Sequence, residues 1–383
     1  MISPTLIAPG PVTFVTTEAR SVVKEATAPI DGTAVVLCEG AFGTLHGKTA
    51  HGLVRHTTRY RLLAVIDSLA AGRDAGAILG GRPAGIPVVR DFQEAVRAAG
   101  GRPDFLVVGV ATHGGVLPAN CRPAIREALA LGVNVDSGLH EILADDPGFA
   151  ALADRSGARI RDVRRTPPRS AMHPFTGEIL TVRSVRLAVL GTDAAVGKRT
   201  TSALLVRGLN ATGARAVLVG TGQTSWMQGV RYGLILDSLV NDFVAGEIEH
   251  EVCRAFREER PDVIVIEGQG CLTHPAYPGG FEILAAARPD GVVVQHAPAR
   301  PHYDGFPDFP LAGIEREMDL VRLLTGKPVL AITLSHEGLA PAEVCRLAAE
   351  YRERYGVPCC DPLLDGVTPI LARLRIRFPQ IPG

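Results

Sequence analysis

From about residue 34 onward, short β-branched apolar runs alternate with longer segments in which apolar residues recur every three or four positions. That alternation predicts parallel sheets covered by helices on both faces, an α/β chain. In the first half, AVVLC (34–38), RLLAVID (61–67), IPVV (86–89), FLVVGV (105–110), VNVD (133–136) and ARIRDV (158–163) read as strands. Helices fit between them, notably over PANCRPAIREALALG (118–132) and LHEILADDPGFAALADRSG (139–157). The result is a small Rossmann-like domain. Its turns CEGAFGT (38–44) and GVATHGGVLP (109–118) follow strands, where open α/β sheets bind ligands.

A polar, proline-bearing stretch, RRTPPRSAMHPFTGEIL (164–180), breaks the periodicity. It sets the expected organisation as a domain over 1–165, a linker over 166–184 and a second domain over 185–383. The second half offers strands at 186–191, 215–220, 262–268, 291–296 and 328–335, with a short one at VPCC (357–360). Helices are expected at 199–210, 237–258, 315–325 and 341–355. The second of these carries Val240, Val244, Ile248, Val252 and Phe256, an i,i+4 ridge for packing on a sheet.

Two domains suit 383 residues. With 40 Lys+Arg against 40 Asp+Glu, no overall field draws the chain to nucleic acid or an anionic membrane, so anion binding must be local. The seven cysteines form no CxxC spacing or paired framework, which fits a reducing, cytoplasmic setting. No apolar stretch approaches the roughly 20 residues of a spanning helix, and no targeting segment is visible.

The chemistry concentrates in LAVLGTDAAVGKRTT (187–201). Its glycine-flanked loop follows a strand and opens a helix, the setting in which backbone N–H groups and a lysine hold phosphate. The loop residues are Gly191, Thr192, Asp193, Ala195, Val196, Gly197, Lys198, Arg199, Thr200 and Thr201. Five residues separate Gly191 from Gly197 rather than the usual four, as in dethiobiotin-synthetase-like proteins. Arg199 stands where a Mg-nucleotide site places a hydroxyl on the metal, and each helical step turns the side chain by about 100 degrees, so Thr200 and Thr201 do not inherit the position. An extra guanidinium suits a phosphate-rich ligand with no required metal, such as coenzyme A.

Other strand ends add candidates. Glu267 closes the strand of IVIEGQG and suits a general base, as does His274 on the following proline-broken loop. Thr221, Gln223 and Thr224 in GTGQTSWMQG are neutral donors for a polar substrate or an oxyanion. Arg300, in the loop after the fourth strand, and Arg231 are candidates for clamping a substrate carboxylate. Each also has a plainer reading, as turn, cap or solvated surface. No histidine pair stands at i,i+4 with an acid between, so no metal site is expected.

GTDAAVGKRTT, TGQTSWMQG, NDFVAGEIE, EGQGCLTHPAY, GVATHGGVLP and SGLHEILADDP together resemble one family across about residues 34–370. It is the two-domain phosphate-loop family long catalogued as of unknown function, whose characterised members include the D-glutamate N-acetyltransferase DgcN. The resemblance implies a Rossmann-like domain, a phosphate-loop domain, and acetyl transfer from acetyl-CoA to the amine of D-glutamate for catabolism. On that expectation Glu267 or His274 is the base, Gln223 and Thr224 serve the oxyanion or the amino acid, and Lys198, Arg199 and Thr200 hold phosphate. The alternative is an ATP- and Mg-dependent ligase or kinase of dethiobiotin-synthetase type, with Asp193 or Glu267 near the metal. The expected partners are a small-molecule substrate and further copies of the chain in a symmetric homo-oligomer.

Overall fold

A computed structural model describes residues 30–382. In the N-terminal domain, strands β1 (Gly32–Leu37), β2 (Tyr60–Ile66), β3 (Val88–Val89), β4 (Phe105–Val108), β5 (Asn134–Ser137) and β6 (Ile160–Asp162) form one parallel sheet in the order β3-β2-β1-β4-β5-β6. Val35, Val36, Leu37, Leu106, Val107 and Val108 are buried, as strands covered on both faces require. Helices α1 (Lys48–Arg55), α2 (Ala75–Gly80), α3 (Phe92–Ala98), α4 (Arg122–Ala130) and α5 (Pro147–Ser156) supply the cover. Strand order reverses between β1 and β4, which makes the loops after those two strands the walls of a crevice.

The C-terminal domain holds a seven-stranded sheet in the order β15-β14-β11-β7-β10-β8-β9. Its strands are β7 (Val185–Gly191), β8 (Ala216–Gly220), β9 (Tyr232–Gly233), β10 (Val263–Glu267), β11 (Gly291–His296), β14 (Val329–Leu334) and β15 (Cys359–Cys360), with a separate antiparallel hairpin of β12 (His302–Tyr303) and β13 (Phe306–Pro310). Side chains alternate across β7. Leu187 and Val189 pack with α6 (Lys198–Ala211) and α12 (Thr368–Arg377), whereas Ala188 and Leu190 face α8 (Asn241–Glu259), α9 (Gly280–Ala287), α10 (Ile314–Thr325) and α11 (Pro341–Tyr355). A short α7 (Gln223–Met227) follows β8. The topological switch of this sheet lies at β7, directly before the glycine-flanked loop.

Two expected helices begin later than periodicity suggests. The segment 139–157 becomes helical only at Pro147, where Asp146 caps the helix by accepting from the N–H groups of Gly148 and Phe149 (2.8 and 3.1 Å). Residues 236–238 form a 3₁₀ turn and α8 opens at Asn241, because Asp237 is held by Arg164 (2.8 and 3.1 Å) across the domain junction. The proline-bearing segment lies along α8: Glu249 accepts from the N–H groups of Thr176 and Ile179 and from the Thr176 hydroxyl (2.6, 3.1 and 2.9 Å).

Candidate functional site

The loop between β7 and α6 bends through two left-handed residues, Ala195 at φ 53° and Gly197 at φ 109°. Such turns aim successive N–H groups into one concavity. Thr192 N–H is held by Gln295 O (3.0 Å), and Thr201 N–H by Gly197 O (3.0 Å). Between them, only the Ala194 N–H finds an acceptor among the described residues, the Asp193 carboxylate at 2.6 Å. The N–H groups from Ala195 to Thr200 are therefore available to an anion at the head of α6. Gly191 lets the loop pack closely: a Cβ on it would lie 3.0 Å from Gln295 O and Val196 Cγ2 and 3.2 Å from Lys198 Cδ, tighter than ordinary contact.

Lys198 crosses this concavity, 7% exposed, and donates to Asp193 O at 2.6 Å. Burial lowers its pKa to about 8, and the charges of Cys271, Asp193 and Glu267 oppose that shift. Behind the loop, Asp193 is fully buried. It accepts from Arg300 Nη1 (2.8 Å) and the Asp304 N–H (3.0 Å). Burial alone would raise its pKa, but His274, Arg300 and the Asp304 N–H outweigh burial and hold it ionised. Thr192 Oγ1 meets His296 Nδ1 at 2.9 Å, and burial holds His296 neutral, with its pKa at about 4. The Thr201 hydroxyl donates to Gln295 Oε1, which also accepts from Thr333 (2.6 Å), and the Ser202 hydroxyl donates to Lys198 O (2.8 Å). Thr200 makes no side-chain hydrogen bond among the described residues.

Glu267 ends β10 beside Val189 of β7, 6% exposed. Its Oε2 accepts from the Ser225 hydroxyl and the Thr221 N–H (3.2 Å), while Oε1 has no hydrogen bond among the described residues. Burial raises the pKa of this carboxyl; Arg199, Ser225, Thr221 and Lys198 oppose the rise. A carboxylate whose pKa burial raises is a stronger base than a solvated one, and one of its oxygens has no partner among the described residues.

His274 is placed differently. Its Nδ1 accepts from the N–H groups of Ala276 and Tyr277 (3.1 and 3.0 Å), which assigns the ring proton to Nε2. Nε2 stands 3.4 Å from Asp193 Oδ1, too poorly aligned for a hydrogen bond, and has no other partner among the described residues. In this tautomer the ring has no lone pair to offer a substrate; it faces the acid that braces the loop. Arg300 is likewise engaged, with Asp193, Ala194 O and Glu337 (2.8, 2.8 and 2.6 Å). Arg231 lies apart from the loop, its guanidinium paired with Glu258 and Glu259 of α8 (2.7 and 3.1 Å).

The donors after β8 serve the structure more than their polarity suggests. The Thr221 hydroxyl donates to Glu267 O (3.0 Å), Thr224 Oγ1 meets Thr49 Oγ1 of the N-terminal domain (3.2 Å), and Gln223 Oε1 accepts from Arg164 (2.9 Å). Only the Gln223 amide N–H₂ stays uncommitted among the described residues. Beyond them, Met227 lies in the N-terminal core and Trp226 packs against it, with the Arg59 guanidinium 3.8 Å from the indole centroid. These contacts were invisible in the sequence, because they join strand ends of different sheets. An open cavity of about 510 Å³ at the junction, lined by His140, Arg164, Thr166, Asp237 and their neighbours, includes none of the loop residues.

Residues 173–371 match the P-loop domain of unknown function DUF1611_C, and residues 68–166 match its Rossmann-like companion DUF1611_N. The chain belongs to the DUF1611 family. A crystal structure of a DUF1611 family protein from Anabaena variabilis superposes with a TM-score of 0.81 at 29% identity, covering 90% of this chain and 99% of that one. Two relatives carry the name D-glutamate N-acetyltransferase. The protein from Tritonibacter scottomollicae is 31% identical over 279 residues, 71% of this chain and 81% of that protein. The protein from a Pseudoalteromonas species is 31% identical over 274 residues, 70% and 80% of the two chains. Within this DUF1611 chain, the Rossmann-like and P-loop domains are joined through α7, and Arg199, just after the glycine-flanked loop, lies with Thr224 of α7 against Gly52 of α1.

Proposed function

We propose that this chain is an N-acyltransferase that moves the acetyl group of acetyl-CoA to the amine of D-glutamate or a closely similar amino acid. The reading is supported by the names of relatives at 31% identity and carried by one observation. A glycine-flanked loop whose N–H groups from Ala195 to Thr200 lack acceptors among the described residues, with the buried Lys198 followed by Arg199 where a Mg-nucleotide site keeps a hydroxyl, stands beside the buried carboxylate Glu267. Such a loop holds phosphate without a metal. Acyl transfer then needs a neutral amine at the thioester carbonyl, a base for the proton that the amine loses as its C–N bond forms, and a donor for the oxyanion. Glu267 takes the proton, the Gln223 amide, uncommitted after β8, donates to the oxyanion, and the thiolate leaves as the C–S bond breaks. Arg300 and the Asp304 N–H hold Asp193, and Asp193 with Arg300 braces the loop.

Thiol release from acetyl-CoA, followed with D- and L-glutamate and a small amino-acid panel with ATP and Mg omitted, tests the reading. Amine-dependent release is expected. No release, with ADP appearing once ATP and Mg are supplied, would make the chain a ligase or kinase instead. In the transferase, Glu267→Gln is expected to lower kcat by roughly a hundredfold or more with little change in KM for acetyl-CoA.

A further inference from the structure

The phosphate loop is faced by a helix of the other domain. Lys48 opens α1, at the end of the loop that follows β1 and at the switch point of the N-terminal sheet. Lys48, Gly52 and Arg55 fall at i, i+4 and i+7, one face of that helix. Arg199 of α6 lies on this face, because a Cβ on Gly52 would come within 2.6 Å of its Nη2. The glycine makes room for the guanidinium. The Asp304 carboxylate favours the charged form of Lys48 while Arg164, Arg199 and Arg300 oppose it, and Glu267 favours the charged form of Arg199 while Arg55 opposes it. Two turns along α6, Arg207 acts on His56, the residue after α1.

Lys48, Arg55, Arg199 and Arg207 have no hydrogen bond or ion pair among the described residues, while Arg164 and Arg300 are tied to acids. Asp304 and Glu267 stand near Lys48 and Arg199 but make no ion pair with them, so four cations against two carboxylates leave a local excess of positive charge in a chain of equal Lys+Arg and Asp+Glu. It begins at a loop whose N–H groups are unfilled and runs outward along α6 for about 12 Å, taking 1.5 Å per residue from Arg199 to Arg207. A single carboxylate does not span that length. A ligand with several phosphates does.

We infer that the acyl donor's phosphates are held across both domains: the diphosphate by the loop with Lys198, Arg199 and Lys48, and the 3′-phosphate of the adenosine by Arg55 and Arg207. This rests on the acetyl-CoA reading and adds to it that the Rossmann-like domain is part of the donor site. Guanidinium groups suit the outer position, since they bind phosphate oxygens in pairs and lose little hydration in doing so.

Titration calorimetry with CoA and 3′-dephospho-CoA tests it in the full chain, with thermal melting to check folding of each variant. Wild-type protein is expected to bind CoA roughly tenfold or more tightly than 3′-dephospho-CoA. The double variant Arg55→Ala, Arg207→Ala is expected to bind the two alike, and Lys48→Gln, which keeps most of the stem, to weaken both by about tenfold. A double variant that still discriminates as the wild type does would overturn the 3′-phosphate assignment. Lys48→Gln with CoA affinity unchanged and KM for the amino acid raised would assign the helix face to the acceptor carboxylates and overturn the two-domain donor site. Wild-type protein that binds ATP and neither CoA compound would remove the donor reading itself. Lys48→Gln would then decide the two-domain phosphate site separately: weakened ATP binding would sustain it, and unchanged binding would overturn it.

Discussion

Burial leaves Lys198 with a pKa near 8, well below the usual lysine value of 10.5. In the free protein its ammonium is therefore charged at neutral pH and loses its proton as pH rises through about 8. A phosphate ligand favours the charged form, so it raises this pKa on binding, and affinity falls where the free lysine is neutral. The apparent KM for acetyl-CoA is expected to rise above pH 8 and to be flat between about pH 6.5 and 7.5. Lys198→Arg, which stays charged throughout, should keep any residual binding level across pH 7–9. A pH-independent KM in the wild type would show that Lys198 does not contact the donor phosphates. The loop itself was legible in the sequence, since strand, glycines, lysine and helix stand in one continuous run. The states of His274 and Gln223 were not. His274 owes its tautomer to two backbone N–H groups in a turn, and Gln223 owes its orientation to Arg164 from the linker end of the other domain.

At the level of elements, apolar runs with helices between them announced all the main strands of both sheets, because the central runs are buried on two faces and need no partner to be recognised; the edge strand β6 is only half-buried. The two-residue β9 and the β12–β13 hairpin were missed, being too short or too polar for a periodic signal. Among the helices expected between the N-terminal strands α1 was not singled out, and α7, α9 and α12 fell outside the expected helices; the glycine in KTAHGLVR of α1 makes sense only beside Arg199. Tight element contacts leave their own marks. A Cβ on Gly246 of α8 would lie 2.0 Å from His173 O, 2.5 Å from Pro174 C and 2.7 Å from Phe175 N, all backbone atoms of the segment between the domains. That segment cannot turn a side chain aside, so it must lift from α8 and loosen the Glu249 bonds. Gly246→Ala is expected to cost roughly 2–3 kcal/mol or more in denaturant unfolding, despite the better helix propensity of alanine. Gly80→Ala at the end of α2 meets nothing within 4 Å and should be close to neutral. Equal midpoints for the two variants would contradict the packing of this segment.

Across the whole molecule, the two sheets are coupled by α7, an element of five residues. Its Thr224 meets Thr49, Gln228 just after it donates to the carbonyls of Gly52 and His56 (2.7 and 2.8 Å), and Arg59 donates to Trp226 O (2.7 Å) while lying on the indole. Arg161 stands 5.1 Å from the same ring, and both arginines are paired with Asp31. The indole thus sits among guanidiniums whose charges are already balanced, which favours a close stack over solvent exposure. The same short helix supplies Ser225, whose hydroxyl holds Glu267, so the joint between domains and the candidate base are one piece of chain. Loosening the joint should then alter chemistry as well as stability. Trp226→Ala is expected to remove roughly 2–3 kcal/mol of coupling, less than the full core value because the ring is only partly enclosed. In calorimetry the wild type should melt in one transition and the variant in two, one per domain. Thiol release should fall in kcat along with the loss of coupling, and Trp226→Phe, which keeps an aromatic face for Arg59, should restore much of both. A variant that melts in a single transition and turns over normally would mean that the domains are held together by other contacts and that Glu267 does not depend on α7 for its orientation.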